Sequence, residues 1–222
     1  HREEFDQLFD KLVKNRTEQA KKLGFESFVE LGAIRRQRNC YTPADVASFR
    51  QQVVRDLVPL TVKIKERRAK RLGISDFKFY DNGLNFKDGS ATPQGTPEEI
   101  LAAGQTMYEE LSPETRDFIH LMFENDLFDV LAKEGKAPGG YCTGFSNFNG
   151  TSGDVDVLTH EAGHAFADFI ATETVKTHAL RCPSMEGAET HSMSMEFLTA
   201  PWHHLFFGDM TEKYELSHAE DA

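Results

Sequence analysis

The sequence is poor in several features that mark specialised classes of protein. It has three cysteines, Cys40, Cys142 and Cys182, which are far apart and form no CxxC pair. An odd, scattered set of this kind argues against a disulfide framework and against a cysteine zinc site. The sequence also has no apolar run of about 18 residues, the length of a membrane-spanning helix, and no apolar segment at its start that resembles a secretory signal. We therefore expect a cytoplasmic protein without a transmembrane segment.

Positive charge is also scarce. The 25 Lys and Arg residues are outnumbered by 36 Asp and Glu residues, which gives a formal net charge of −11. Because such a chain repels phosphate, we do not expect nucleic acid as a partner. With no transmembrane segment predicted, we expect no membrane partner either. Apolar residues nevertheless make up 39% of the chain and include 18 phenylalanines, which is enough to build one sizeable core. This composition excludes a wholly disordered chain.

Helix-start signals recur along the chain. Thr42, Thr96 and Ser112 each precede a proline and an acidic residue, a pattern in which the hydroxyl caps a free N–H and proline occupies the first helical position. Pro59 should kink or split the first of these helices, and apolar periodicity predicts further helix in the first 38 residues. The predicted helices run from Pro43 to about Arg71, from Pro97 to about Glu110 and from Pro113 to about Glu134.

Two segments carry β signals instead. The segment FKFYDNGLNF alternates around Asn82-Gly83 and predicts a short hairpin. The segment GFSNFNG, residues 144–150, predicts one short strand, and a helix is expected from about Asp154. The sequence therefore predicts a mainly α protein with a small β element just before its most informative helix.

That helix contains the motif HEAGH, with His160, Glu161 and His164. Two histidines four residues apart lie on one helical face, about 6 Å apart at their Cβ atoms, so both imidazoles can reach one metal ion. Zinc lowers the pKa of a bound water to about 7, and Glu161 can take that proton in peptide hydrolysis. A motif with so few fixed positions also occurs by chance, in which case these are two solvated histidines and a surface glutamate.

A catalytic zinc site usually has three protein ligands and an open position. The extended form of the motif is absent, because Ala167 and Ile170 replace its glycine and its third histidine. Spacing alone does not choose another ligand, since several acids of the next helical stretch share a face, and one can bind metal while another orients a ligating histidine. The candidates in that stretch, residues 184–202, are Glu186, Glu189, His191 and Glu196.

The predicted strand before the helix suggests how a substrate is held. An edge strand offers unpaired N–H and C=O groups that can bind an extended peptide. Ser146, Asn147 and Phe148, in the middle of this segment, are therefore candidate substrate-binding residues. Such a strand favours a peptide over a small amide as the substrate.

These motifs resemble those of the M3 peptidases, zinc oligopeptidases of the thimet oligopeptidase type. The similarity rests on HEAGH, on a glutamate twenty-five residues after the second histidine and on the segment ETHSMSMEFLT. GGYCT and FSNFNGTSGDVDVLTHEAGHAF are similar to the oligoendopeptidase F branch in particular. The resemblance covers most of the chain from about Tyr80 onward. It implies a mainly helical, zincin-like fold with a deep channel that admits short unstructured peptides, and a cytoplasmic location.

The resemblance also implies a role for each site residue. His160, His164 and Glu189 would hold one zinc ion, and Glu161 would be the general base and later the proton shuttle. Glu196 would orient a ligating histidine without binding the metal itself. The activity would be the hydrolysis of internal bonds in short peptides.

The sequence departs from the family pattern in its extent. Family members carry an N-terminal lobe and a C-terminal segment rich in His and Tyr that helps to bind substrate, and neither is recognisable here; the stretch from Cys142 to Phe145 is also short. We therefore expect a catalytic-domain fragment, with a helical part over residues 1–75 and a zincin core over about 76–222. The alternative function is a metal-binding or peptide-binding fragment without turnover.

Overall fold

The chain folds mainly into α-helices, as the sequence predicts. The computed structural model describes residues 1–137, 139–141 and 144–221, so Cys142 and part of the short Cys142–Phe145 stretch lie outside the described residues. None of the helices in these ranges is long and apolar enough to cross a membrane. The α-helices are α1 (Arg2–Lys22), α2 (Phe28–Arg35), α3 (Pro43–Gln52), α4 (Val58–Leu72), α5 (Pro97–Leu111), α6 (Pro113–Glu124), α7 (Gly153–Thr174), α8 (Met185–Leu198), α9 (His203–Phe207) and α10 (Thr211–Asp221).

The chain forms two compact units, His1–Val62 and the part from Lys63 onward. In the first unit, Ala20 and Leu31 are the buried hydrophobic residues, so its helices depend mainly on local signals. The division between the units falls within α4. The predicted organisation into a helical part over residues 1–75 and a zincin core over about 76–222 stays a prediction.

The predicted break at Pro59 is confirmed. α3 begins with a reciprocal cap in which the Thr42 hydroxyl accepts from the Asp45 N–H and the Asp45 carboxylate accepts from the Thr42 N–H. Proline has no N–H, and its ring crowds the carbonyl four residues earlier, so regular α-helical bonding is interrupted before it. The chain makes a π-helical turn over Val53–Leu57 at this point, and α4 follows.

The second unit contains the main hydrophobic core. Val155, Leu158 and Ala162 bury one face of α7 in this core, which leaves His160 and His164 on the opposite face of the helix. The core residues are Ala91, Ile100, Met107, Tyr108, Phe118, Ile119, Met122, Val130, Phe148, Val155, Leu158, Ala162, Met195, Phe206, Phe207 and Tyr214.

The predicted end of the helix that starts at Pro113 is wrong. α6 ends at Glu124 rather than near Glu134, because Asp126 adopts a left-handed conformation with φ of 52°. Asparagine and aspartate tolerate that conformation better than most residues. The Leu127 N–H then bonds the Met122 carbonyl at 3.0 Å, which closes the helix in the manner of a Schellman cap.

The predicted hairpin around Asn82-Gly83 is also wrong. The segment instead makes a 3₁₀ turn over Phe79–Asp81. Its carbonyl groups bind arginines of α4, since Arg68 donates to the Asn82 carbonyl at 3.0 Å and Arg71 donates to the Asn85 carbonyl at 2.8 Å. These charge-assisted hydrogen bonds take the place of cross-strand pairing.

The predicted strand in GFSNFNG is confirmed. It forms β2 (Phe145–Phe148), which pairs in parallel with β1 (Asp129–Leu131), a strand that the sequence did not predict. The register pairs Asp129 with Phe145 and Leu131 with Phe148, with an irregularity between them. This small sheet leads directly into α7.

Candidate metal centre

The loop that joins β2 to α7 is held by Asp154. Its carboxylate accepts hydrogen bonds from the Asn149 N–H at 2.9 Å and from the Gly150 N–H at 2.7 Å. Only 4% of Asp154 is exposed, and a buried carboxylate is stable when its oxygens are bonded in this way. This anchor fixes the start of α7 relative to the strand.

His160 and His164 lie one turn apart on α7. Their ring centroids are 4.9 Å apart, and the ring planes are nearly perpendicular, at 83°. The side chains remain 25% and 20% exposed. Both imidazoles are therefore held by their helix while a ligand can still reach them.

α8 supplies the carboxylate that completes the cluster. Glu189 Oε2 lies 3.3 Å from His160 Nε2 and 3.5 Å from His164 Nε2. One ligand atom from each of these three residues lies within 4.8 Å of the other two. Nitrogen and oxygen ligands bind zinc at about 2.0–2.2 Å, so ligand atoms in a tetrahedral site are about 3.3–3.6 Å apart. The two separations that involve Glu189 fit a shared zinc ion.

Gly163 allows α7 and α8 to approach closely at the motif. A Cβ atom at this position would lie 2.9 Å from Ser192 Cα and 2.9 Å from Met195 Cβ. Because contacts this short do not occur in a packed interior, glycine is required here by packing. The close crossing brings Glu189, one turn before Ser192, to the two histidines.

Glu196 connects His160 to a histidine of α10. Its Oε1 atom lies 2.6 Å from His160 Nδ1, and its Oε2 atom lies 3.0 Å from His218 Nε2. The side chains of Glu196 and His218 are each 12% exposed. A carboxylate bound at Nδ1 fixes the orientation of an imidazole ring and leaves Nε2 available to a metal.

A second polar pair fixes α10 against α7. The Tyr214 hydroxyl donates to Asp156 Oδ1 at 2.5 Å. Burial raises the pKa of the Asp156 carboxyl; burial, and then the negative charge of Asp156, raise the pKa of the Tyr214 hydroxyl. Tyr214 also stacks on His218, with ring centroids 5.4 Å apart. His218, which contacts Glu196, is therefore itself held in place by Tyr214.

Glu161 is approached closely by the segment that precedes β2. A Cβ atom on Gly140 would lie 3.1 Å from Glu161 Cγ and 2.6 Å from Val157 Cγ1. Glu161 also borders a small apolar pocket, together with Ser146 and Phe148 of β2. The backbone at residue 140 thus packs closely beside Glu161, and it is nearer to Val157 than a residue with a side chain would allow.

Comparison with known proteins gives the family of this chain. The sequence profile of peptidase family M3 matches residues 1–219. The chain belongs to peptidase family M3. Its similarity to oligoendopeptidases F places it in that branch of the family.

The M3 relatives are considerably longer than this chain. A structure of PZ peptidase A with inhibitor 2 is 47% identical, with a TM-score of 0.92, and the match covers 100% of this chain and 41% of that one. A protein described as oligoendopeptidase F from Bacillus anthracis strain Ames is also 47% identical, with a TM-score of 0.93, over 99% of this chain and 42% of that one. The oligoendopeptidase F homolog of Lactococcus lactis subsp. lactis strain IL1403 is 28% identical over 140 aligned positions, which cover 57% of this chain and 22% of that protein. The chain thus spans less than half the length of these relatives.

The M3 chain brings together some of its candidate ligands and not others. His160, His164 and Glu189 form the cluster, whereas Glu186 and His191 lie outside it. Among the residues that the structure describes, this is the one group of histidine, cysteine and acidic side chains with such spacing. Helical spacing left the third candidate ligand open. Of the residues it allowed, Glu189 is the one that lies in a cluster with both histidines.

The three candidate substrate-binding residues alternate along β2. Ser146 and Phe148 are each 6% exposed and border the pocket beside Glu161. The Asn147 amide donates to the Ala137 carbonyl at 2.6 Å. Because these side chains are engaged within the protein, a peptide would be contacted by the backbone of β2. The substrate-binding role of this segment stays a prediction.

Sequence reasoning missed two residues that contact the site. His218 lies 22 residues after Glu196, and no local pattern connects the two. Ser192 lies three residues after Glu189, and its hydroxyl is 3.1 Å from Glu189 Oε2. Helical spacing would have indicated Ser192, since residues three apart are neighbours on a helix.

Proposed function

We propose that this M3 chain forms the catalytic part of a zinc-dependent endopeptidase that hydrolyses internal bonds of short peptides. The observation that carries the proposal is the convergence of His160, His164 and Glu189 at separations that suit one ion. Membership of peptidase family M3 supports peptide hydrolysis as the reaction. The activity and substrates of the whole protein are part of this proposal.

The donor set fits zinc. Two imidazole nitrogens and one carboxylate oxygen are the ligands of a common class of catalytic zinc site, which keeps one position open. When bound, zinc would polarise the scissile carbonyl and lower the pKa of a water molecule to about 7. The remaining steps belong to side chains of this chain.

Glu161 would act as the general base. It follows His160 directly in the sequence and is not one of the three converging groups, so its carboxylate is not used as a ligand. It would take a proton from the attacking water and then pass that proton to the leaving amine. The close approach of Gly140 restricts the positions that this carboxylate can take, which favours an oriented base.

Glu196 would hold His160 for this chemistry. With its Oε1 atom 2.6 Å from His160 Nδ1, it keeps the ring proton on Nδ1 and directs Nε2 towards the cluster. His218 binds the other carboxylate oxygen at 3.0 Å.

We further propose that a short peptide lies along β2, in a cytoplasmic setting, as the sequence predicts.

The metal content of the protein tests the proposal first. The chain, purified without chelator and checked for helicity by circular dichroism, should carry about one zinc ion per chain by elemental analysis. A folded chain that binds no zinc, even when zinc is supplied, would contradict the assignment of the centre.

Peptide hydrolysis is the second measurement. The chain and the full gene product should be compared on an internally quenched fluorescent peptide, with o-phenanthroline and then with zinc restored. Chelator-sensitive cleavage at an internal bond supports the endopeptidase. Zinc binding without cleavage by this chain would favour the alternative, a metal-binding or peptide-binding fragment without turnover.

A further inference from the structure

Ser192 contacts the Glu189 carboxylate directly. It lies on α8, one turn after Glu189, and is completely buried, with 0% exposure. Its hydroxyl oxygen lies 3.1 Å from Glu189 Oε2 and 3.2 Å from the Glu189 carbonyl oxygen. The Oε2 atom is also the one nearest to both histidines, at 3.3 and 3.5 Å. The hydroxyl therefore reaches the oxygen that would bind the metal.

The position of Ser192 is fixed by the helix crossing. Its Cα atom lies where α8 packs closely against α7, since a Cβ on Gly163 would be only 2.9 Å away. Since the site is packed on that side and Ser192 is fully buried, water does not compete for its hydroxyl. Glu189 differs, because its side chain is 49% exposed and is free to rotate away from the histidines unless something holds it.

We propose that Ser192 is a positioning residue that holds Glu189 in the orientation needed to bind the metal. This inference rests on the proposed function, in which Glu189 is a zinc ligand. The hydroxyl would donate to the carboxylate and reduce the conformational freedom that Glu189 loses when the ion binds. Loss of a residue that supports a metal ligand in this way typically weakens metal binding by about 10- to 100-fold.

A purely structural role for Ser192 makes a different prediction. Serines inside helices often bond a backbone carbonyl three or four residues earlier, and Ser192 is also within reach of the Glu189 carbonyl. If that bond is its whole role, removing the hydroxyl would change stability slightly and would leave metal affinity unchanged. Metal affinity therefore separates the two roles.

Ser192→Ala is the test, with Ser194→Ala as its matched control. Ser194 lies on the same helix, and its hydroxyl bonds the Thr190 carbonyl, at 2.6 Å. Zinc affinity is measured by competition with a chromophoric chelator, and apo-protein melting is followed by circular dichroism. We expect Ser192→Ala to bind zinc about 10-fold more weakly than wild type, and Ser194→Ala to match wild type. Equal zinc affinity in the two variants would overturn the inference.

A double-mutant cycle with Glu189→Ala shows whether Ser192 acts through Glu189. In the Glu189→Ala background, Ser192→Ala should cause no further loss of zinc affinity. A loss as large as in the wild-type background would mean that Ser192 acts by packing alone, which contradicts the inference. If Glu189→Ala itself leaves zinc affinity unchanged, the metal centre of the proposed function fails instead.

Discussion

The two helices that form the candidate metal centre place their candidate functional residues in different ways. α7 carries His160, Glu161 and His164 within five consecutive residues, so helix geometry alone sets their spacing. α8 carries Glu189 and Glu196 seven residues apart, and these acids meet the histidines only because the two helices cross closely at Gly163. Half of the centre is thus encoded by local spacing and the other half by packing.

This difference predicts how substitutions in each helix should affect the candidate centre. A substitution of His160, Glu161 or His164 in α7 removes a chemical group but leaves the crossing at Gly163 intact. A substitution in α8, or at the crossing, changes what reaches the histidines. Variants of the two helices should therefore separate turnover, metal affinity and stability.

Glu161→Gln should have the largest effect, and it acts on turnover alone. We expect kcat to fall by at least about 100-fold, because the amide cannot accept the proton of the attacking water. Zinc content and melting temperature should stay at the wild-type level, since Glu161 is not one of the converging groups. Glu173→Gln, an exposed position on the same helix, is the control. Turnover within about tenfold of wild type would remove Glu161 from its role as base.

Glu189→Ala should have the next largest effect, on metal affinity. The carboxylate contacts both histidines, so its loss should weaken zinc binding by more than the roughly 100-fold upper range for a supporting residue. Glu186→Ala removes an acid of the same helix that lies outside the cluster and should leave zinc affinity near the wild-type value. The reverse order in a chelator competition would assign the third ligand to Glu186.

The same contrast explains how much of the site could be predicted from the sequence. His160, Glu161 and His164 follow from a short motif, because a helix places residues four apart on one face. Spacing within α8 could not choose between Glu186 and Glu189, since the choice depends on where α8 crosses α7. The resemblance to M3 peptidases pointed to Glu189, and the structure brings that residue to the histidines.

The same limits apply to the fold. Helix starts were predictable because hydroxyl caps act on their own backbone, as at Thr96, which forms a reciprocal cap with Glu99. The 3₁₀ turn that replaces the predicted hairpin near Asn82 was not predictable, because it depends on Arg68 and Arg71 of the preceding helix, α4, which bind carbonyl groups of this segment. The contact between Glu196 and His218 likewise depends on packing that no local pattern encodes.

Glu196→Gln should have a smaller effect on metal affinity than the loss of Glu189. The amide keeps the size of the side chain but weakens its hydrogen bonds to His160 and His218, so His160 is oriented less firmly. We expect zinc binding to weaken by about 10- to 100-fold. Glu212→Gln, an exposed position on α10, is the control for the change of charge. Wild-type affinity in Glu196→Gln would mean that the orientation of His160 does not depend on this carboxylate.

Gly163→Ala should have the smallest effect, and it tests the crossing itself. Alanine is the better helix former by about 1 kcal/mol, but its Cβ would lie 2.9 Å from the Ser192 backbone, and overpacking of this kind costs about 1–3 kcal/mol. We expect a lower melting temperature and weaker zinc binding together, because separating the helices moves Glu189 away from the histidines. Gly32→Ala on α2 is the control, since its Cβ would meet only the Phe28 ring, at 3.6 Å. If Gly163→Ala were as stable and bound zinc as tightly as Gly32→Ala, the α8 half of the centre would not depend on the close approach of the two helices.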